Sequence, residues 1–252
     1  MAIEVNGEKI EVIDSHIHAA YEFKKMVQNF DAAGIDRGVI FPRGAFGSDY
    51  AESNASIAKG MEAFPNRIIG FGRISPRLGK ERSERTFDEC MKMGLKGIKL
   101  HPILDVFDAD DRKLLGPIME KAGHYKVPVL FHCGRAAAAS PVLIADLAQD
   151  YPDVSVIVAH MGYRDRADET IALAKRVKNL YLDTAIMCHI RLLARAVETV
   201  GPERVLHGSD HPAQPFRFEL EKIAIHLREF AGLDNKSLAL ILGKNLKRLV
   251  GM

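Results

Sequence analysis

The sequence predicts an α/β fold, a (β/α)8 TIM barrel with an extra C-terminal helix, on three observations. The chain has 252 residues, a usual length for one such barrel. Short apolar runs alternate with longer amphipathic stretches, which is the pattern of repeated βα units. The carboxyl ends of these runs recur about every 30 residues, the size of one βα unit. We therefore expect residues 1–252 to form one barrel domain.

The eight predicted strands are short apolar runs rich in valine, isoleucine and leucine. They read IEVIDSHIH, RGVIFP, RIIGFGRI, LKGIKLH, VPVLFHC, VSVIVAH, LYLDTA and RVLHGSD, and they end near His18, Pro42, Arg73, His101, His132, His160, Asp183 and Asp210. An open, doubly wound sheet is the main alternative. Eight evenly spaced units favour the closed barrel, whose active sites lie at the carboxyl ends of the strands.

Helix signals separate the predicted strands. Residues 23–30 carry apolar side chains at helical spacing, and Gly34 follows them at the position of a C-cap. Two further helices are predicted after the last strand, near residues 217–231 and 236–249. We interpret the apolar stripes of these helices as the faces that pack on the barrel.

Composition argues against several classes of function. The net charge is +2 and basic residues are spread along the chain, so no tract is suited to a nucleic acid backbone. No apolar run reaches the ~18 residues of a membrane span, and the first residues, MAIEVNGEKIEV, lack the apolar core of a signal peptide. Cys90, Cys133 and Cys188 are odd in number and widely spaced, which is typical of a reducing compartment. A cytoplasmic location is expected.

The first strand ends in two side chains that can ligate a metal. His16 and His18 lie two residues apart, so they share one face of the strand, with Asp14 on the same face one layer below. A histidine pair of this kind is weak evidence alone, because chance produces many such pairs.

Later strands contribute similar side chains. Lys99 and His101 share a face at the end of strand four, and strands five, six and eight end at His132, His160 and Asp210. An isolated histidine at a strand end more often packs or caps than ligates a metal. The placement of all these groups at equivalent points of separate βα units favours a common site at the barrel mouth.

The ligand types indicate which metal the site would hold. Imidazole and carboxylate groups favour zinc, and they also suit manganese, iron or cobalt. A catalytic zinc site has few protein ligands and keeps one position open for water or substrate. We therefore expect a divalent metal ion at the barrel mouth, with zinc as the first choice.

Eight stretches of the sequence together resemble one family. They are IDSHIH, FDAAGIDRGVIFP, FPNRIIGFGRISP, GLKGIKLHP, VPVLFHCG, VIVAHMG, RVLHGSDHP and ILGKNLKRLVG. The chain resembles the amidohydrolase superfamily, in particular the amidohydrolase-related branch that includes aminocarboxymuconate-semialdehyde decarboxylase and related metal-dependent hydrolases. The resemblance covers nearly the whole chain, in order. It implies a (β/α)8 barrel, His160 in contact with the metal-bound water or the substrate, and as metal ligands His16, His18, His132 and Asp210.

Lys99 leaves the number of metal ions open. Binuclear members of the superfamily carry a carboxylated lysine on strand four that bridges two metals, and His160 would then bind the second ion. The KLHP context of Lys99 resembles the mononuclear branch more closely, so one ion is favoured. TatD-type nucleases share the histidines and the aspartate, but they carry a glutamate where this sequence has Lys99.

A positive rim is predicted around the barrel mouth. Arg73 and Arg135 lie at or just beyond strands three and five. With Lys99 and His101 they are candidates for binding a carboxylate or phosphate group of the substrate. Ordinary surface arginines are an equally good explanation of Arg73 and Arg135. The short loops also leave open a homo-oligomer whose partner subunit closes the mouth.

The favoured function is metal-dependent hydrolysis of a small anionic substrate. Asp210 is the candidate base that takes a proton from water, and His160 orients the water or stabilises the developing oxyanion. The alternative is a non-oxidative decarboxylase of a small carboxylic or aromatic acid that uses the same site. A barrel that only binds a ligand is the third hypothesis, against which the complete set of ligands argues.

Overall fold

Parallel strands alternate with helices along the chain in the computed structural model, which describes residues 3–5, 8–20, 22–44 and 48–252. All the candidate site residues named above lie within these ranges. The strands are β1 Ile3–Val5, β2 Glu8–Ile10, β3 Ile13–His18, β4 Arg37–Phe41, β5 Ile68–Gly70, β6 Gly72–Arg73, β7 Ile98–Leu100, β8 Val129–Phe131, β9 Val156–Val158, β10 Leu180–Asp183 and β11 Val205–Leu206. β1 and β2 pair antiparallel to each other ahead of the parallel strands.

Helices follow the strands as the sequence predicts. They are α1 Phe23–Ala33, α2 Ala51–Ala63, α3 Lys80–Lys92, α4 Arg112–Tyr125, α5 Pro141–Asp150, α6 Tyr163–Arg176, α7 Ile190–Val200, α8 Phe216–Glu221, α9 Arg228–Ala231, α10 Asn235–Ala239 and α11 Asn245–Leu249. π-helical turns at Lys222–Leu227 and Leu240–Lys244 join the last four into the two predicted C-terminal helices. Gly34 caps α1 with a φ of 83°, as expected. None of the helices in the described ranges is long and apolar enough to cross a membrane.

Two parallel sheets form the wall around the site. One has the strand order β3-β4-β5 and the other β11-β10-β9-β8-β7-β6. β5 and β6 are consecutive parts of one segment, 68–73, which links the two sheets. On the other side, Ser15 N donates to His207 O at 2.9 Å. Asp210 N likewise donates to His16 O at 2.8 Å. The ladders are not one continuous cylinder, but their order is that of the predicted barrel.

The buried apolar side chains form two hydrophobic clusters. The interior cluster lies inside the barrel, and the outer cluster lies between the strands and the helices. The interior cluster collects side chains from alternating strand positions and from the end of the chain. It contains Ile13, Val39, Phe41, Ile69, Phe71, Leu130, Ile157, Ala159, Leu206, Leu246, Leu249 and Val250. Because the last three belong to it, α11 packs where the strands begin, and Lys247 Nζ lies 2.8 Å from Glu11 Oε2 just ahead of β3. The carboxyl-terminal end remains for the functional side chains.

β3 changes its inward face at a β-bulge. Its register against β4 shifts between Asp14 and Ile17. Ile13 belongs to the interior cluster and Ile17 to the outer cluster, although residues four apart share a face in a regular strand. The bulge therefore turns His16 and His18 inward, where both rings contact an interior phenylalanine. The prediction that Asp14 lies on their face is wrong for this reason; its Oδ1 accepts backbone hydrogen bonds instead.

Candidate metal centre and active site

Three atoms that can ligate a metal converge at the carboxyl ends of β3 and β11, the first and last parallel strands. His16 and His18 project from β3, and Asp210 follows β11 with a φ of 60°. Asp210 Oδ1 lies 3.0 Å from His16 Nε2 and 2.9 Å from His18 Nε2. Neither Asp210 Oδ1 nor His16 Nε2 has a hydrogen-bond partner of suitable geometry among the described residues. Three ligand atoms thus face one small volume, as they do around a metal ion.

A hydrogen bond to Asp183 fixes the orientation of His16. His16 Nδ1 lies 2.5 Å from Asp183 Oδ2, and both side chains are completely buried. Because the carboxylate accepts, Nδ1 carries the proton and Nε2 faces Asp210. A carboxylate behind a ligating histidine is common in metal sites. The bond also accounts for a second group of close donor atoms, formed by His16, His160 and Asp183.

Gly208 makes room for this pair. A Cβ atom on Gly208 would lie 2.3 Å from Asp183 Oδ1 and 3.0 Å from His16 Cβ. The carboxylate cannot retreat freely, because its Oδ1 also accepts a 2.9 Å hydrogen bond from Ala185 N. The position beside Asp183 is therefore suited to glycine alone.

His160 enters the site from a left-handed turn that follows β9. Residues 160–163 all have positive φ, with values of 60°, 49°, 77° and 60°. The His160 ring centroid lies 4.9 Å from that of His16. Its Nδ1 lies 3.3 Å from the carbonyl oxygen of Ala185, which can only accept, so Nε2 is the unprotonated nitrogen. His160 therefore presents Nε2 as an acceptor or ligand atom beside His16.

His101 and His132 stack on each other. Their ring centroids are 3.9 Å apart and their planes differ by 7°. Leu104 N donates to His101 Nδ1 at 3.3 Å, so a neutral His101 carries its proton on Nε2 and can donate from there. His132 belongs to neither group of close donor atoms in the described part of the chain, and its ring centroid lies 5.2 Å from that of His160. Metal ligation by His132 stays a prediction.

Lys99 is a fully buried lysine at the edge of the histidine cluster. Its Nζ lies 4.9 Å from the centre of the Phe41 ring, which also contacts His16 and His18. Nζ has no hydrogen-bond partner within the described ranges. Burial lowers the pKa of Lys99 to about 7, and the nearby Arg73 acts in the same direction. The site thus holds a lysine amine that lacks a hydrogen-bond partner among the described residues and that loses its charge more readily than an exposed lysine.

Arg73 and Arg135 have different surroundings. Arg73 is fully buried and pairs in register with Lys99 across β6 and β7. Its Nη2 lies 3.1 Å from Asp105 Oδ2, whereas its Nε and Nη1 have no hydrogen-bond partner among the residues described. Arg135 is exposed and lies 3.2 Å from Asp165. The positive charge nearest the site is therefore internal, at Arg73 and Lys99, and substrate binding by Arg135 stays a prediction.

The surroundings of the site favour neutral histidines and an ionised aspartate. Burial lowers the pKa of His18 to about 4 and that of His132 to about 2, and it lowers the pKa of His160 well below its ordinary value. Burial alone would raise the pKa of Asp210, but the adjacent histidines outweigh it and hold that pKa below its usual range. His16 is the exception, because the two carboxylates beside it outweigh burial and raise its pKa. A metal ion at His16 would therefore compete with a proton.

Two carboxylates of the site are not singled out by the sequence pattern. Asp183 ends a predicted strand, which is a signal for the barrel mouth, but its bond to His16 joins residues 167 positions apart. Asp105 lies in the loop after β7 and has no comparable signal. Its Oδ1 accepts a 2.6 Å hydrogen bond from Tyr50, and burial raises its pKa although Arg73 and Tyr50 oppose this.

Comparison with known proteins identifies the family. A sequence model of the amidohydrolase family matches residues 13–252. The chain therefore belongs to the amidohydrolase family of enzymes, as its motifs indicate. No curated protein matches the chain at a significant level.

Solved structures share the fold over almost the whole chain. An uncharacterized TIM-barrel protein from Bordetella bronchiseptica has 20% sequence identity and a TM-score of 0.77, over 96% of this chain and 98% of that chain. 5-Carboxyvanillate decarboxylase from Sphingomonas paucimobilis has 14% sequence identity and a TM-score of 0.76, over 96% of this chain and 99% of that chain. A dihydroxybenzoic acid decarboxylase from Polaromonas sp. JS666 was solved with bound manganese and the inhibitor 2-nitroresorcinol. It has 16% sequence identity and a TM-score of 0.76, over 96% of this chain and 97% of that chain. These similarities establish the TIM-barrel fold that the sequence predicts.

Proposed function

We propose that this protein is a metal-dependent hydrolase that acts on a small anionic substrate. The convergence of His16 Nε2, His18 Nε2 and Asp210 Oδ1 at one end of the barrel carries the proposal. Membership of the amidohydrolase family supports it. The location of the three atoms supports it as well, because barrel enzymes have their active sites at the carboxyl ends of the strands.

The donor set fits a divalent metal ion. Ligand atoms about 2.0–2.2 Å from a tetrahedral ion are roughly 3.3–3.6 Å apart, somewhat more than the observed separations of 3.0 and 2.9 Å. We assign His132 as the fourth ligand. Zinc is our first choice, and manganese, iron or cobalt suit the same ligands. A second ion would require carboxylation of Lys99, since an unmodified ammonium group does not ligate.

Asp210 and His160 are the proposed catalytic residues. A divalent ion bound here would lower the pKa of water and polarise the scissile carbonyl. Asp210, whose pKa the adjacent histidines hold below its usual range, is the carboxylate proposed to accept a proton from the attacking water. The water oxygen adds to the carbonyl carbon, and Asp210 returns the proton to the leaving group, which yields an acid and the protonated leaving group. His160 Nε2 accepts the second hydrogen bond of the water and so orients it.

Lys99 and Arg73 are proposed to hold the anionic part of the substrate. Lys99 Nζ and Arg73 Nε and Nη1 are buried donors without partners in the described ranges. A carboxylate would satisfy these donors at once, since charged donors and carboxylates form the stronger hydrogen bonds. His101 adds a donor at Nε2. Arg135 is assigned an outer contact with the substrate, because its side chain lies at the surface.

Metal analysis of the purified protein is the first test. We expect about one divalent ion per chain. His16→Ala and Asp210→Ala should each remove the ion or abolish turnover, whereas His226→Ala, which changes an exposed histidine, should do neither. Substrates are sought in a panel of lactones, amides and aromatic acids. Full turnover by metal-free protein would contradict the proposal, and two ions per chain with a carboxylated Lys99 would replace it with a binuclear site.

A metal-dependent decarboxylase is the second candidate. Two decarboxylases of aromatic acids share the fold, which favours it. Isotopes separate the two reactions, because hydrolysis in oxygen-labelled water places the label in the acid product. Decarboxylation in heavy water releases carbon dioxide and leaves deuterium on the carbon that lost the carboxylate. Binding of 2-nitroresorcinol to the metal-loaded protein would favour the decarboxylase.

A further inference from the structure

The left-handed turn after β9 ends in a residue with an unusual backbone. Tyr163 has a φ of 60° and a ψ of 177°. This region is adopted almost only by glycine, because the Cβ atom of any other residue crowds the backbone. Strain of this kind persists where the surrounding structure imposes it, and it concentrates at functional sites.

Packing in the hydrophobic core does not account for the strain at Tyr163. Its side chain is half-buried and belongs to neither hydrophobic cluster of the described residues. Its hydroxyl forms no hydrogen bond with another residue in the described ranges. Met161, in the same turn, differs because it is fully buried in the outer cluster. The left-handed backbone at Met161 therefore serves packing, and that at Tyr163 does not.

The Tyr163 ring lies instead against two histidines of the site. Its centroid is 4.8 Å from that of His160, with the planes tilted by 43°, and 6.2 Å from that of His132. Gly134 permits this approach. A Cβ atom on Gly134 would lie 3.0 Å from Tyr163 Cε2 and 3.5 Å from His132 Nε2. Tyr163 therefore forms a wall of the site between the two histidines.

We propose that Tyr163 contacts the substrate, and that its phenol donates a hydrogen bond to a carbonyl or carboxylate oxygen bound beside His160. The inference rests on the proposed function, since it requires a substrate at this side of the site. A phenol is neutral near pH 7 and can donate. The ring has only two side-chain torsions, so the backbone at Tyr163 largely fixes the hydroxyl. An oxygen that gains negative charge during the reaction would be stabilised by such a fixed donor.

Tyr163→Gly tests whether the strained backbone at Tyr163 serves activity rather than stability. Glycine adopts this backbone without crowding, so we expect the melting temperature to rise by about 2–4 °C while activity falls. Ala172→Gly is the matched control, because it places glycine at an exposed position of the same helix, α6. It should lower the melting temperature and leave activity unchanged.

Tyr163→Phe tests the hydrogen bond, because it keeps the ring and the strain. On the best compound of the panel we expect kcat to fall about 10²-fold, with little change in KM and the metal retained. Acetohydroxamate, a small metal-chelating anion, provides a second readout. Calorimetry on the metal-loaded protein should show about 10-fold weaker binding by Tyr163→Phe than by the wild type.

The outcomes separate this inference from the proposed function. A wild-type chain that takes up no metal and shows no metal-dependent turnover refutes the proposed function, and the inference with it. Metal-dependent turnover with unchanged kcat and acetohydroxamate binding in Tyr163→Phe refutes only the role of Tyr163. A Tyr163→Gly variant that is no more stable than the wild type, or one that keeps full activity, also refutes it.

Discussion

His16 Nδ1 lies 2.5 Å from Asp183 Oδ2, and neither side chain is exposed to solvent. The bond links β3 to β10, which contributes no atom to the proposed ligand set. Since Nδ1 is engaged, His16 can offer only Nε2 to a metal. Asp183 thereby controls the direction in which the first proposed ligand points.

Asp183→Asn should weaken metal binding. The amide has nearly the shape of the carboxylate but lacks its charge, so it no longer fixes the tautomer of His16 or increases its basicity. We expect metal affinity to fall about 10–100-fold, measured by competition with a chromophoric chelator. Asp168→Asn is the control, because Asp168 pairs with Arg195 at the surface. Equal affinity in the wild type and Asp183→Asn would show that the bond does not support ligation.

Gly208→Ala should disturb the same pair by steric contact. The new Cβ would lie 2.3 Å from Asp183 Oδ1, a distance that forces the carboxylate to move. We expect a lower melting temperature and weaker metal binding. Gly123→Ala is the control, because a Cβ on Gly123 would meet its nearest neighbour at 3.5 Å and should slightly stabilise α4. A melting temperature as high for Gly208→Ala as for the control would contradict this prediction.

Lys99→Met should stabilise the metal-free protein at neutral pH. Burial lowers the pKa of Lys99 to about 7, against 10.5 for an exposed lysine. The folded state therefore binds fewer protons than the unfolded state, and folding becomes less favourable as the pH falls from 10.5 towards 7. Methionine occupies similar space without a charge, so we expect a gain of about 2–4 kcal/mol in the free energy of unfolding near pH 7.

Urea unfolding at two pH values checks this prediction for Lys99. The gain from Lys99→Met should shrink near pH ~9.5, where much of the penalty is already relieved. Lys178→Met changes an exposed lysine and should show no such dependence. A gain that is the same at both pH values would mean that shape rather than charge causes it. The variant should retain the metal but bind an anionic substrate with a raised KM.

Arg73 and Asp105 should be coupled in a double-mutant cycle. Both side chains are completely buried and Arg73 Nη2 lies 3.1 Å from Asp105 Oδ2, so either one left alone is a charge without its partner. Asp105→Asn and Arg73→Met should each lower the free energy of unfolding by about 3 kcal/mol. The double variant should lose less than the sum, by about 1–3 kcal/mol. Strict additivity, measured by urea unfolding, would show that Arg73 and Asp105 stabilise the fold independently of each other.

Local sequence patterns are sufficient to predict the barrel. Each βα unit carries its own apolar run and amphipathic stretch, so the order of the elements can be predicted without knowing any tertiary contact. The positions of His18, His101 and His160 follow for the same reason, because each one ends or directly follows an apolar run. Their convergence follows from the rule that parallel strands end at one face.

Features that depend on contacts distant in sequence could not be predicted. The partner of Arg73 lies 32 residues away in an irregular loop. The left-handed turn at residues 160–163 contains one glycine, Gly162, so its amino-acid sequence does not predict four positive φ values. Asp14 follows the alternating pattern in sequence but not in space, because the bulge depends on how β3 meets its neighbours.

Because of the bulge in β3, the inward direction of His16 and His18 depends on the conformation of the strand as well as on their spacing in the sequence. If β3 were regular between Asp14 and Ile17, the same sequence would place both Ile13 and Ile17 at the barrel centre and both imidazoles on the side that faces the helices. A β3 strand of the same sequence without the bulge would thus keep the His-x-His pattern and lose the site. Homologues that have the same number of residues in this stretch but form a regular strand should be inactive, even though they retain the motif.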